Sequence, residues 1–286
     1  MSKQKFVLHT MGKVGSNTIS KTLRSLGQFS ISSHVLTDDS RQILLEQSRK
    51  LSEVGNRALA KNIKKYARKS VRFNNEIQRY KSNGNRLKTI TVIREPVAYA
   101  ISGLFENLHL HIKSLRNNPE QRHDDKYYNI PIEYFNRWVN FYTKPTVDKN
   151  SAINSIGEYY FNWPSLFVST EIKKMWGIDL ISQKFEDGWN YKFYPIDSCD
   201  LMVMKYEKFE CLKTVISELF DINCDEIKSS NVSSRKNYSD LRRYFLDNIV
   251  FNDEFLNKIY STDYVKCFYS DKEIEDFKNK WKHRKG

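Results

Sequence analysis

A short apolar run, Phe6-Val7-Leu8, breaks into a segment with two closely spaced glycines, Met11-Gly12-Lys13-Val14-Gly15-Ser16-Asn17-Thr18, and then into Ile19, Leu23 and Leu26 at helical spacing. That succession predicts a strand, a tight turn and a helix, the building unit of a sheet with helices packed on its faces. Glycine permits the left-handed backbone that a tight turn needs and lets main-chain N–H groups come close to a bound anion. The helix that follows would turn the positive end of its dipole to the same point, beside the hydroxyls of Ser16 and Thr18 and the charge of Lys13. The segment therefore reads as a phosphate cradle. It is not a Walker loop, because G-x-x-x-x-G-K-[ST] places the lysine after the second glycine, whereas Lys13 precedes Gly15. A glycine turn that merely caps a helix is the plainer reading of the same letters.

A second anion site is predicted further along. Ile90-Thr91-Val92-Ile93 is a β-branched run that ends in Arg94-Glu95-Pro96, and Ser102 follows Arg94 by eight residues. An arginine at the carboxyl end of a buried strand, with a serine two turns into the next helix, can reach a ligand lying across the top of a parallel sheet. Taken alone, such an arginine is more often a surface ion pair.

Together the two segments resemble the sulfotransferases that use 3′-phosphoadenosine 5′-phosphosulfate. In that family a lysine-containing strand-loop-helix holds the 5′-phosphosulfate, and an arginine followed eight residues later by a serine holds the 3′-phosphate. Gly12, Lys13, Val14, Gly15, Ser16, Asn17 and Thr18 match the first element, and Arg94 with Ser102 matches the second. The run Leu201-Met202-Val203-Met204-Lys205-Tyr206-Glu207 looks like the family's late strand ending in a Tyr-Glu pair. Thr170-Glu171-Ile172, Trp176-Gly177-Ile178-Asp179, the stretch Phe268-Tyr269-Ser270-Asp271-Lys272-Glu273-Ile274 and Trp281 resemble, more narrowly, a bacterial branch of capsular polysaccharide synthesis proteins. The similarity spans nearly the whole chain.

The resemblance implies an α/β fold, a P-loop-like three-layer sandwich with a central mainly parallel sheet and helical insertions. It also implies one sulfotransferase-like domain over residues 1–286. Its expected activity moves a sulfuryl group from 3′-phosphoadenosine 5′-phosphosulfate (PAPS) to a hydroxyl of a carbohydrate or glycan, releasing adenosine 3′,5′-bisphosphate, with no metal. Such a transfer needs a charge sink at the leaving phosphate and a base at the acceptor. Lys13 is the expected sink, beside the N–H groups of residues 15–18. His34 is the expected base, because Phe29-Ser30-Ile31-Ser32-Ser33-His34-Val35-Leu36 reads as the next strand and its end should lie near the first loop. Family members use a histidine or a carboxylate in this region, so Asp38 and Asp39 stand as rivals, with Glu106 and His109 weaker ones. A late basic loop, Asn231-Val232-Ser233-Ser234-Arg235-Lys236-Asn237-Tyr238, is the candidate for closing over the nucleotide through Arg235 or Lys236.

Charge is concentrated rather than spread. Of the formal +13, residues 41–88 alone hold 14 Lys or Arg against 3 Asp or Glu, and their apolar positions keep helical spacing. The stretch is expected to be a basic helical insertion, solvated or facing an anionic acceptor or membrane surface. No finger, RNA-binding or helix-turn-helix pattern accompanies it, so no specific nucleic-acid partner is expected. No apolar run reaches the 18 or so residues that span a bilayer and no secretory leader opens the chain, so the expected place is the cytoplasm, peripheral at most to the inner face of the membrane. Cys199, Cys211, Cys224 and Cys267 lack metal spacing and read as reduced packing residues. His109 and His111, with His123-Asp124-Asp125 after them, diverge if they end a helix, so no metal is expected there. Aromatic residues between 105 and 200 suit sugar faces, although packing claims most of them. Two other functions fit parts of the pattern. An ATP-dependent P-loop kinase would use the same loop but lacks a convincing Walker B acid, and a non-catalytic basic module would dock on anionic lipid or polymer.

Overall fold

The computed structural model describes residues 5–53, 56–108, 125–145, 152–183, 185–197, 199–229 and 238–282. They form two compact units that exchange the chain several times, residues 1–44, 65–95 and 164–232 making the first and the rest the second.

The first unit holds a five-stranded sheet in the order β2-β1-β3-β5-β4, built from β1 (Lys5–His9), β2 (Phe29–Ser33), β3 (Leu87–Ile93), β4 (Tyr191–Ile196) and β5 (Cys199–Lys205). β1, β2, β3 and β5 are parallel, with Leu8 opposite Ser32 and Ile90 and with Ile93 opposite Lys205; β4 alone runs antiparallel, Tyr191 facing Met204. The central strands are continuous apolar runs because both their faces are covered: Phe6, Val7, Leu8, Ile90, Val92 and Val203 are all fully buried. From β1 the chain moves one place outward to β2 and then returns to the other side of β1 as β3. The crevice at the carboxyl ends of β1 and β3 is therefore a topological switch point, where open α/β sheets bind their ligands.

α1 (Ser16–Ser25) starts at the glycine turn and buries Ile19, Leu23 and the hydroxyl-bearing Thr18 and Thr22. It ends in a Schellman cap: Gly27, at φ +75°, donates to the Arg24 carbonyl and Gln28 to that of Leu23. The strand expected over residues 29–36 stops at Ser33, where the Ser33 hydroxyl turns back onto the Val35 carbonyl, so His34 opens a loop. The basic stretch forms two helices, α2 (Asp38–Glu53) and α3 (Arg57–Ser82).

The second unit is helical and packed with rings. Trp138 lies stacked on Tyr160, while Phe135 meets Phe161, Phe245 and Phe251. Gly103 and Gly157 permit the contact, since a Cβ would fall 2.2 Å from the Tyr160 ring at one and 2.5 Å from Trp138 at the other. Most aromatic residues that could have faced a sugar are thus packing residues: Trp138, Tyr160, Phe161 and Trp163 are buried here, and Trp176 is buried in the first unit. No described helix is long and apolar enough to cross a membrane.

Candidate functional site

The glycine turn after β1 is wound by three residues with positive φ, Gly12 at +86°, Lys13 at +55° and Gly15 at +74°. Such a turn directs successive N–H groups to one side, and the first turn of α1 adds N–H groups that have no intrahelical carbonyl to bond. Neither an Asp nor a Glu stands in that turn, and Gly15 supplies no capping side chain, so the positive end of α1 carries no protein anion of its own.

Three neighbours hold this loop. The His34 ring lies against Gly12, 3.4 Å from where a Cβ would be. The Phe209 ring lies under Gly15, where a Cβ would come within 2.7 Å. Arg94, a residue 9% exposed, donates through its guanidinium to the main-chain carbonyl of Lys13. Arg94 is itself stacked 4.2 Å above the Tyr206 ring, and the next residue, Glu207, accepts the Glu95 N–H at 2.9 Å. Burial, with the Glu95 carboxylate beside it, raises the affinity of Glu207 for a proton. The Tyr-Glu pair after β5 thus fixes the turn that carries Arg94.

His34 is oriented by the end of β1. Its Nδ1–H donates to the Thr10 carbonyl at 2.9 Å, with the Thr10 hydroxyl at 3.1 Å. Its main-chain N–H donates to the Tyr66 hydroxyl at 2.6 Å, and the two rings stack with centroids 5.7 Å apart. With the proton on Nδ1, Nε2 keeps its lone pair and has no hydrogen-bond partner among the described residues. Burial first, and then the Lys13 ammonium, push the His34 pKa down to about 4, so the ring is neutral at ordinary pH.

The remaining sequence candidates fall elsewhere. Asp38 is exposed and paired with Arg41, and Asp39 is exposed and paired with Lys174, so neither is set up as His34 is. Ser102 sits two turns into α4 (Pro96–Glu106), a helix of the second unit, as does the exposed Glu106. Arg235 and Lys236, with His109, His111 and His123, lie outside the described residues. Tyr238 packs 5.8 Å from the Phe105 ring.

Two features escaped the sequence reading. Glu171, fully buried in a π-helical turn (Phe167–Ile172), accepts the His9 Nε2–H at 3.1 Å, the Leu36 N–H at 2.9 Å, the Thr37 N–H at 3.1 Å and the Thr37 hydroxyl at 2.6 Å. Burial opposes its charge, yet these bonds prevail and hold the carboxyl below its ordinary range. Glu171 therefore fastens the tip of β1 to the loop that follows His34. The other feature is Lys205, fully buried at the end of β5 with its ammonium 4.9 Å above the Trp189 ring. A glutamate in an apolar segment beside Trp176 was the available signal for the first, and a lysine closing a buried strand for the second.

A family model matches residues 146–270, less than half of the chain. Its description is "Putative capsular polysaccharide synthesis protein". The matched stretch includes Glu171, β4, β5 and the Tyr206-Glu207 pair and excludes the Lys13 loop, His34 and Arg94. No curated protein and no solved structure matches the chain significantly. Involvement in polysaccharide synthesis is thus what the family name suggests, and the chemistry has to be argued from the site.

Proposed function

We propose that the chain is a P-loop-like sulfotransferase that moves a sulfuryl group from PAPS to a hydroxyl of a glycan. The observation that carries this reading is the bond from Arg94 to the Lys13 main-chain carbonyl, because it joins two cationic residues that follow neighbouring parallel strands, beside one switch-point crevice. A ligand with phosphate at both ends suits such a pair better than one with a single phosphate. In this reading the N–H groups of residues 15–18, with the Ser16 and Thr18 hydroxyls, hold the 5′-phosphate. Lys13 neutralises the charge that grows on that phosphate as its bond to sulfur breaks. Arg94 has two tasks, to brace the loop and to hold the 3′-phosphate. Arg235 and Lys236 are the proposed late clamp.

The acceptor oxygen forms the new bond to sulfur while His34 Nε2 takes its proton, and adenosine 3′,5′-bisphosphate leaves. A base of pKa about 4 is weak, but part of that depression comes from the nearby Lys13 charge. The donor's phosphates would offset this charge, so nucleotide binding raises the basicity of His34 at the moment it is needed.

Calorimetry tests the reading directly. Adenosine 3′,5′-bisphosphate should bind more tightly than ATP with magnesium; tighter ATP binding would replace it with a kinase. Arg94→Met should weaken the bisphosphate more than adenosine 5′-phosphate, and equal losses would reduce Arg94 to a brace.

A further inference from the structure

The exposed side of α3 carries cations that the fold does not use. Lys65, Arg68, Arg72 and Arg79 follow one another at three, four and seven residues, so they line one side of the helix. All four are exposed, and none makes an ion pair among the described residues. α2 differs, because its cations stand among acidic residues: Arg41 pairs with Asp38, Arg49 with Glu46 and Glu53, and Lys50 approaches Glu46 at 3.9 Å. Like charges one turn apart destabilise a helix by about 0.2–0.5 kcal/mol per pair, and the one acidic residue of α3, Glu76, lies on the same side between Arg72 and Arg79.

The same side forms a shallow, open groove in which Arg68, Arg72 and Arg79 outnumber the single carboxylate of Glu76, with Val71, 38% exposed, Asn75 and Tyr80 among the remaining lining. From Arg68 to Arg79 the helix rises about 16 Å, a length that admits several sugar units. Guanidinium groups take carboxylates in paired hydrogen bonds, while an apolar patch, an amide and a phenol suit the mixed faces and hydroxyls of sugar rings. A lipid surface is served less well, because the apolar side of α3, including Ala67 and Ile77, is buried within the protein and has nothing to insert. The helix also supplies Tyr66, whose hydroxyl receives the His34 N–H.

From this charge complementarity we infer that the exposed side of α3 binds an acidic polysaccharide, one bearing carboxylates along its chain. The inference depends on the transferase reading only in making that polysaccharide the acceptor. Titration of the full chain with oligogalacturonate, against neutral dextran and against phosphatidylcholine vesicles containing phosphatidylserine, tests it. Oligogalacturonate should bind in a salt-sensitive way and dextran should not. Combined Arg68→Ser, Arg72→Ser and Arg79→Ser substitutions should weaken that binding about tenfold or more and leave the affinity for adenosine 3′,5′-bisphosphate unchanged. No binding of oligogalacturonate, binding that survives the three substitutions, or tighter and equally arginine-dependent binding of the vesicles would each overturn the inference. Failure of the bisphosphate to bind would remove the donor and leave the polysaccharide surface standing.

Discussion

His9 and His34 sit at the tips of two neighbouring strands and have opposite surroundings. His9 is fully buried with both ring nitrogens engaged, Nδ1 accepting the Trp176 indole N–H at 3.0 Å and Nε2–H donating to Glu171 at 3.1 Å. His34 is half-buried and engaged only at Nδ1, with Nε2 turned towards the glycine loop. A saturated imidazole is part of the scaffold, whereas one with a spare lone pair facing a candidate anion site can accept a proton. The two are linked, since Glu171 holds His9 and also the Leu36 and Thr37 amides just beyond His34.

The contrast breaks most directly at His34. His34→Ala should lower sulfuryl transfer by about 10²–10⁴-fold and leave adenosine 3′,5′-bisphosphate affinity nearly unchanged. His9→Ala should do the reverse, leaving a protein whose defect appears in unfolding rather than in the transfer step of the folded fraction. Full activity in His34→Ala would pass the role of base to another group.

Glu171→Ala comes next in size. It strips the acceptor from His9 Nε2–H, from two main-chain N–H groups and from the Thr37 hydroxyl, all buried. Urea denaturation should show a loss of about 3 kcal/mol, with an unchanged midpoint dissolving the distinction between the two histidines. Gly15→Ala follows. A Cβ there is strained at φ +74° and meets Phe209 at 2.7 Å, so donor affinity should fall by about tenfold. Phe209→Leu in the same chain should restore part of that loss; no restoration would mean that the ring does not shape the loop.

What the sequence revealed and what it hid divide along the range of the interactions. β1, the glycine loop, β3 with Arg94 and β5 with Tyr206-Glu207 were legible because each is a short apolar run closed by a distinctive local turn. The apolar periodicity of residues 41–88 likewise marked one or two helices, although not which cations would be paired. The Glu171 centre was hidden, since it joins residues 135 and 162 positions away and lies in a π-helical turn that no periodicity announces. The orientation of His34 was hidden too: it depends on a strand that ends three residues before Leu36 and on a tyrosine from α3. Local patterns identified the candidate side chains, and long-range contacts decided which of them has a lone pair to offer.

The smallest effect concerns proton linkage at His34. Its pKa is about 4 in the folded chain and near the ordinary 6.5 in the unfolded one, so the folded state disfavours the protonated ring. Above pH 6.5 both states are neutral here and the contribution to stability is complete. As the pH falls from 6.5 towards 4 the unfolded chain takes up a proton that the folded chain refuses, and stability declines; below 4 both states are protonated and the loss is complete. Because the ring is partly exposed, the loss between pH 7 and pH 5 should be about 2 kcal/mol or less. The difference between wild type and His34→Gln in urea titrations across that range isolates it from the background of the other titrating groups. Saturating adenosine 3′,5′-bisphosphate should shrink the difference, because phosphates beside Lys13 offset one of the charges that depress the ring, and an unchanged slope would place the bound anion away from His34.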